Sequence, residues 1–154
     1  MTKLAWSLAT LFLITTLILS YTFLVQGKTR LSEDGRTAVL LAPGERDLVL
    51  TEMRAFLVAV QAIVDAGTKK DAAAIAAAAR AVGMATAGDV PASLMGKLPL
   101  GLKKLGLDTH RAFDQLALDV EQMGDTSQAL VDLSQLMNNC IACHAAYRLE
   151  PETP

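Results

Sequence analysis

A chain of 154 residues that is 52% hydrophobic but only 5% aromatic has material for one domain with a real core plus an appendage, and its wealth of alanine and leucine suits helices better than sheets. The formal charge of −2 gives no basis for binding nucleic acid, and two cysteines are too few for a disulfide framework.

Residues 1–26 hold a single charge, Lys3, and the stretch LAWSLATLFLITTLILSYTFLV from Leu4 to Val25 is uncharged over 22 residues. As a helix it would extend about 33 Å, enough to cross the hydrocarbon core of a bilayer. A cleaved signal peptide has a shorter apolar region ending in a small-x-small site, for which Ser20-Tyr21-Thr22 is a marginal candidate, so a retained transmembrane anchor over 1–26 is expected. Trp6 and Tyr21 stand near its two ends, where aromatic side chains meet the headgroups. Lys28, Arg30 and Arg36 follow the span while only Lys3 and the terminal amine precede it, which by the positive-inside rule alone would leave the remainder in the cytoplasm.

Residues 27–43 read as a tether: Gly27, Gly35 and Pro43 punctuate them, and Ser32-Glu33-Asp34-Gly35 is a turn signal. Within it Ala38 to Ala42 is apolar enough to pack on the domain or on a partner. Residues 44–154 then show helical periodicity. A first helix is predicted from Glu45 to Ala66, with Val49, Met53, Phe56, Leu57, Val60, Ile63 and Val64 at spacings of three and four and Gly67 as stop signal. A second starts at the N-cap candidate Asp71 and continues through AAAIAAAARAVGMA; its alanines favour the helix and leave it thin. Gly88 to Gly101, with Pro91 and Pro99, reads as a long irregular connection. A third helix is predicted from Asp108 to Met123, with His110 on the apolar stripe of Phe113, Leu116, Ala117 and Val120. A fourth, capped by Asp125 or Thr126 and ended by Pro151, carries Leu130, Leu133, Met137, Cys140, His144 and Tyr147. The expected fold class is all-α: an antiparallel four-helix bundle preceded by one transmembrane helix.

The fourth predicted helix contains the stretch that carries chemistry, Cys140-Ile141-Ala142-Cys143-His144. C-x-x-C-H is the attachment signature of c-type haem: two thiols add across the vinyl groups of one porphyrin, and the adjacent imidazole falls under the iron. Cys140, Cys143, His144 and Tyr147, at steps of three, one and three, would share one helix face. A zinc half-site is the competing reading, but only His110 remains to complete it unless a carboxylate joins. A redox dithiol would be expected beside a βαβ pattern, which is not evident here.

CIACHAAYR, at the C-terminal end of four predicted helices, resembles the class II c-type cytochromes, the cytochrome c-prime family, from about Glu45 to Leu149. The resemblance implies one covalently attached haem c, with Cys140 and Cys143 as thioether attachments, His144 as proximal ligand, and Arg148 as the basic residue beside it. By their own positions, Arg148 could instead complement the helix dipole and Tyr147 could be a core residue with its hydroxyl at the rim. The family takes its distal group from the first helix. There Met53 would close the iron, and methionine ligation raises the potential as suits electron transfer. Many family members have an arginine four residues before the distal position, and counting from Arg54 points to Val58 instead, an apolar residue that would leave the iron open. His110 and Met95 are further candidates, although a lone histidine on an apolar stripe is more often a hydrogen-bonded core residue, and methionines there are mostly core fillers.

Beyond the anchor, 13 Lys and Arg face 16 Asp and Glu, an acidic balance suited to basic or neutral partners. Lys97, Lys103 and Lys104 gather around the long connection as a docking rim or a solvated charge run. No paired acid and base, activated nucleophile or Gly-rich phosphate loop is present, so the chain is not expected to be an enzyme. The expected function is a membrane-anchored monohaem cytochrome on the periplasmic side of the cell inner membrane, where bacteria attach haem c. It would pass single electrons to or from a membrane oxidoreductase, a photosynthetic or respiratory complex, or another carrier. The alternatives are a five-coordinate haem protein binding nitric oxide or carbon monoxide, and an accessory subunit whose haem is mainly structural.

Overall fold

In the computed structural model, residues 2–152 are described; Met1, Thr153 and Pro154, the outermost residues of the expected anchor and domain, lie outside them. Helix α1, Thr2–Ser20, continues through a π-helical segment, Tyr21–Gln26. Within the helix Lys3–Gln26 the most apolar 18-residue stretch has a mean hydropathy of 2.1 and none of it is buried in the protein, so this helix is long and apolar enough to cross a membrane. Three of its hydroxyls are satisfied within it: those of Ser7, Thr10 and Thr15 donate to the carbonyls of Lys3, Trp6 and Leu11 at 2.9–3.0 Å. In hydrocarbon those hydroxyls would have no water to turn to.

The chain is mostly helical, but the all-α expectation misses a small sheet. Strands β1 (Thr29–Leu31) and β2 (Thr37–Leu41) form an antiparallel hairpin, and β3 (Tyr147–Pro151) pairs parallel to β2. The segment expected as an irregular tether is therefore structured, and Ala38, Val39 and Leu41 are fully buried. The fourth predicted helix is shortened by the same pairing: α6 spans Thr126–Ala146, and Tyr147 begins the strand, its N–H still bonded to the carbonyl of Cys143. Tyr147 and Arg148 thus leave the helix face on which they were expected.

Helix α2 spans Pro43–Thr68, with Pro43 in its first turn and Glu45 accepting the Ala42 N–H at 3.0 Å. It runs through Gly67, the expected stop, because a β-carbon there would lie 2.9 Å from the Leu130 side chain; this glycine makes room for a neighbour. Asp71 caps α3 (Ala72–Arg80) as expected, accepting from the Ala74 N–H at 2.9 Å. That helix ends earlier than its alanines suggest: at Gly83 the chain passes against the Asp114 carboxylate, which accepts the Met84 N–H at 2.9 Å, and a 3₁₀ turn, Met84–Asp89, follows. The expected irregular connection contains α4 (Ala92–Lys97), and α5 begins at Leu100, after Pro99, instead of Asp108, running to Met123. Gly124 closes α5 in the left-handed conformation (φ 67°), and Asp125 caps α6 by accepting from Ser127 and Gln128 at 2.9 Å.

Two cores result. The larger joins Ile63 of α2, Ile75 of α3, Phe113 and Leu116 of α5, and Leu133 and Leu136 of α6. The smaller joins Val39 and Leu41 of β2 to Leu94 and Leu102, with Val49, Cys143, Tyr147 and Leu149 packed on it. The second core lies at the end of the helices from which α1 emerges.

Candidate functional site

The stripe that α6 buries is Ala129, Leu133 and Leu136, and steps of four and three continue it to Cys140 and Cys143. Both cysteines are half-buried and unpaired, and burial pushes both thiols up, the neighbouring Cys140 adding to the effect at Cys143. Cys143 leans on the smaller core, whereas His144 is exposed. The three residues meet as the sequence suggests, in the last two turns of one helix.

The surface beside them is apolar. Leu130, Met137, Ile141 and His144 repeat at seven, four and three residues along α6, and Met53, Val60, Val64 and Gly67 do the same along α2. Gly67 meets Leu130, and Val49 and Cys143 share the smaller core, so the helices run antiparallel. Met137 and Ile141 are 40% and 65% exposed, and Leu57, next to the α2 line, is 69% exposed. From the Gly67–Leu130 contact, Met53 lies fourteen residues back along α2 and His144 fourteen residues on along α6. At 1.5 Å per residue each lies about 21 Å along its own helix from that contact, towards the same end of the pair. Val58 lies off this line and is 66% exposed.

His110 has other employment. It is 3% exposed, its Nδ1 stands 2.8 Å from the Val82 carbonyl and its Nε2 3.0 Å from Glu52 Oε1, and its ring lies 4.9 Å from that of Phe56. Burial alone would lower its pKa, but Glu52 and the Val82 carbonyl outweigh burial and raise it. With both nitrogens engaged it is the hydrogen-bonded core histidine of the blander reading. Met95 is half-buried on the short helix α4. Among the described residues no three His, Cys, Asp or Glu side chains converge as a metal-binding group.

Arg148 and Tyr147 hold the motif from the strand side. Tyr147 lays its hydroxyl against Gly101 at the start of α5, where a side chain would collide with it. Arg148 binds Asp34 at 3.1 Å and Glu150 at 3.1 Å. The guanidinium nearest the end of α6 is that of Arg36, whose Nη1 donates to the carbonyls of His144 at 3.3 Å and Tyr147 at 3.5 Å. There it satisfies two backbone acceptors and complements the negative end of the helix dipole. Asp34 grips Arg36 through Nε at 2.9 Å and Nη2 at 2.7 Å, and those bonds hold its pKa down to about 2. Sequence reasoning missed Arg36 because it stands over a hundred residues from His144; the turn signal at Asp34-Gly35 was the available hint.

Comparison with protein-family models, with curated proteins and with solved structures finds no match.

Proposed function

We propose that this chain is a membrane-anchored monohaem c-type cytochrome that carries single electrons, built as a four-helix bundle of α2, α3, α5 and α6. The observation that carries the reading is the donor set at the end of α6: two unpaired, half-buried thiols one turn apart and an exposed imidazole, beside exposed apolar side chains of α6 and α2. Such a set suits a group held by two covalent bonds and one nitrogen: the exposed apolar side chains would lie against a flat macrocycle while the thiols and His144 would fix its edge and centre. Cys140 and Cys143 would hold the haem, and His144 would be the proximal ligand. Met53, half-buried on the neighbouring helix α2, is the sixth-ligand candidate. When bound, the haem supplies the one-electron chemistry; the protein's part is to fix its orientation, exclude water and choose the axial partner.

The apolar helix at the N-terminus anchors the protein, and the haem domain lies on the periplasmic side of the inner membrane. The basic residues after the span all have structural uses here: Lys28 pairs with Glu152 at 3.1 Å, Arg30 with Glu150, and Arg36 with Asp34 at 2.7 Å. Their presence is accounted for without a role in fixing topology.

A gas-binding haem protein is the competing function; a half-buried methionine, Met53, on the helix packed beside α6 supports a closed iron over it. Absorption spectra of the detergent-extracted protein, oxidised and reduced, with and without carbon monoxide, separate the two. Low-spin spectra indifferent to the gas support electron transfer. A high-spin spectrum that shifts with carbon monoxide would move gas binding ahead.

A further inference from the structure

The junction between the membrane helix and the rest of the chain is packed. Gly27 takes φ 66°, and a β-carbon there would fall 2.7 Å from the Pro99 nitrogen, so the chain leaving the helix runs directly against the α4–α5 corner. The Lys28 N–H donates to the Lys97 carbonyl at 2.8 Å. Lys103 of α5 reaches back to the last turn of the membrane helix, its Nζ donating to the carbonyls of Phe23 at 3.1 Å and Leu24 at 3.3 Å. These are acceptors that a helix end leaves without partners, and a cation there also suits the dipole. The Lys28 carbonyl accepts from Leu40 of β2, and Lys28 pairs with Glu152 just beyond β3. β3 is the direct continuation of the helix that carries Cys140, Cys143 and His144.

We propose that the domain is docked on its own anchor as one rigid body, with the CxxCH end of α6 held facing the bilayer, and that its redox partner is a protein embedded in the same membrane. The register supports the placement. Lys28, at the exit from the membrane helix, is level with the far end of β3, and Tyr147 stands four residues back along that strand, a rise of about 13 Å. The C-terminus of α6 and the N-termini of α2 and α5 are therefore the ends of the helices nearest the membrane. A domain so fixed has little freedom to swing towards a soluble carrier, whereas a neighbour in the bilayer meets the same edge at each encounter. The partner part of the proposal rests on the haem reading; the docking part rests only on the anchor.

Full-length protein carrying nitroxides at Phe12 and Gln135, reconstituted into phospholipid vesicles, tests the docking by the distribution of distances between the labels. One narrow peak is expected, and Lys103→Met or Gly27→Ala should broaden it. A broad distribution in the parent protein overturns the proposal, and failure to float with the vesicles overturns it together with the anchor reading. Should Gly27→Ala not fold, Lys103→Met and the parent distribution decide. For the partner, ten Gly and Ser residues inserted between Gln26 and Gly27 should leave the absorption spectrum unchanged and slow reduction of the haem several-fold in native membranes supplied with a respiratory substrate. Unchanged or faster reduction overturns the membrane partner, and absence of any haem spectrum sinks the haem reading while the distances still judge the docking.

Discussion

Met53 and Val58 differ in what their helix does with them. Met53 shares a line with Val60, Val64 and the Gly67 that touches α6, whereas Val58 lies off that line and is exposed. Met53→Ala is therefore predicted to turn the iron high-spin and receptive to carbon monoxide, and Val58→Ala to leave the spectrum as it was; the reverse result would place the distal face one turn along. His110 gives a prediction in pH. Its folded pKa is raised above the unfolded value of about 6.5, so the stability it contributes is fully present below that value and is lost as pH rises through the folded pKa. The gap in melting temperature between the parent and Glu52→Gln should accordingly shrink from pH 6 to pH 9. Replacing His110 by Ala leaves the Val82 carbonyl without its donor and is expected to cost about 1–3 kcal/mol in denaturant unfolding.

At the level of elements, Gly101 is a site where one added methyl should be felt. Ala at this position displaces the Tyr147 hydroxyl, and with it the junction of α6 and β3, at a cost of about 1–3 kcal/mol in chemical denaturation. If Gly101→Ala melts like the parent, Tyr147 does not anchor that junction. The same glycine shows where reading the sequence failed. Gly67, Gly83 and Gly101 look like punctuation, yet each marks a close approach by Leu130, Asp114 or Tyr147, and only the distant neighbour tells a packing glycine from a breaking one. Local signals did better: Asp71, Asp125 and Gly124 end or begin helices where their chemistry says they should. YRLEP prolongs a helical pattern with nothing in itself to announce a strand, because the partner that makes it one, Thr37–Leu41, lies 110 residues away. Cys140, Cys143 and His144 were legible because five consecutive residues hold the whole signature. Arg36 was not, since its role exists only once β2 meets β3.

Across the whole molecule, the N-terminal apolar helix, the hairpin and the helix that carries CxxCH form one connected path from Phe23 through Lys28 and Leu40 to Tyr147. Acid should loosen part of it. Asp34, held down to about 2, stabilises the fold fully above its ordinary value near 4, and that contribution is lost as pH falls towards 2. Its protonation removes one ion pair from Arg36 and one from Arg148. Hydrogen exchange at the Tyr147–Glu150 amides between pH 4 and pH 2, corrected for intrinsic rates and compared with Asp34→Asn, should show protection falling further in the parent. Everything proposed about function, however, depends on what the two thiols carry. The decisive measurement is the intact mass of the protein purified from bacterial membranes, with Cys140→Ala/Cys143→Ala alongside. A parent mass greater than its polypeptide by one haem, with the double variant at the bare polypeptide mass, is the predicted result. A parent chain that carries no haem, or that holds a metal ion on free thiols, would contradict the account.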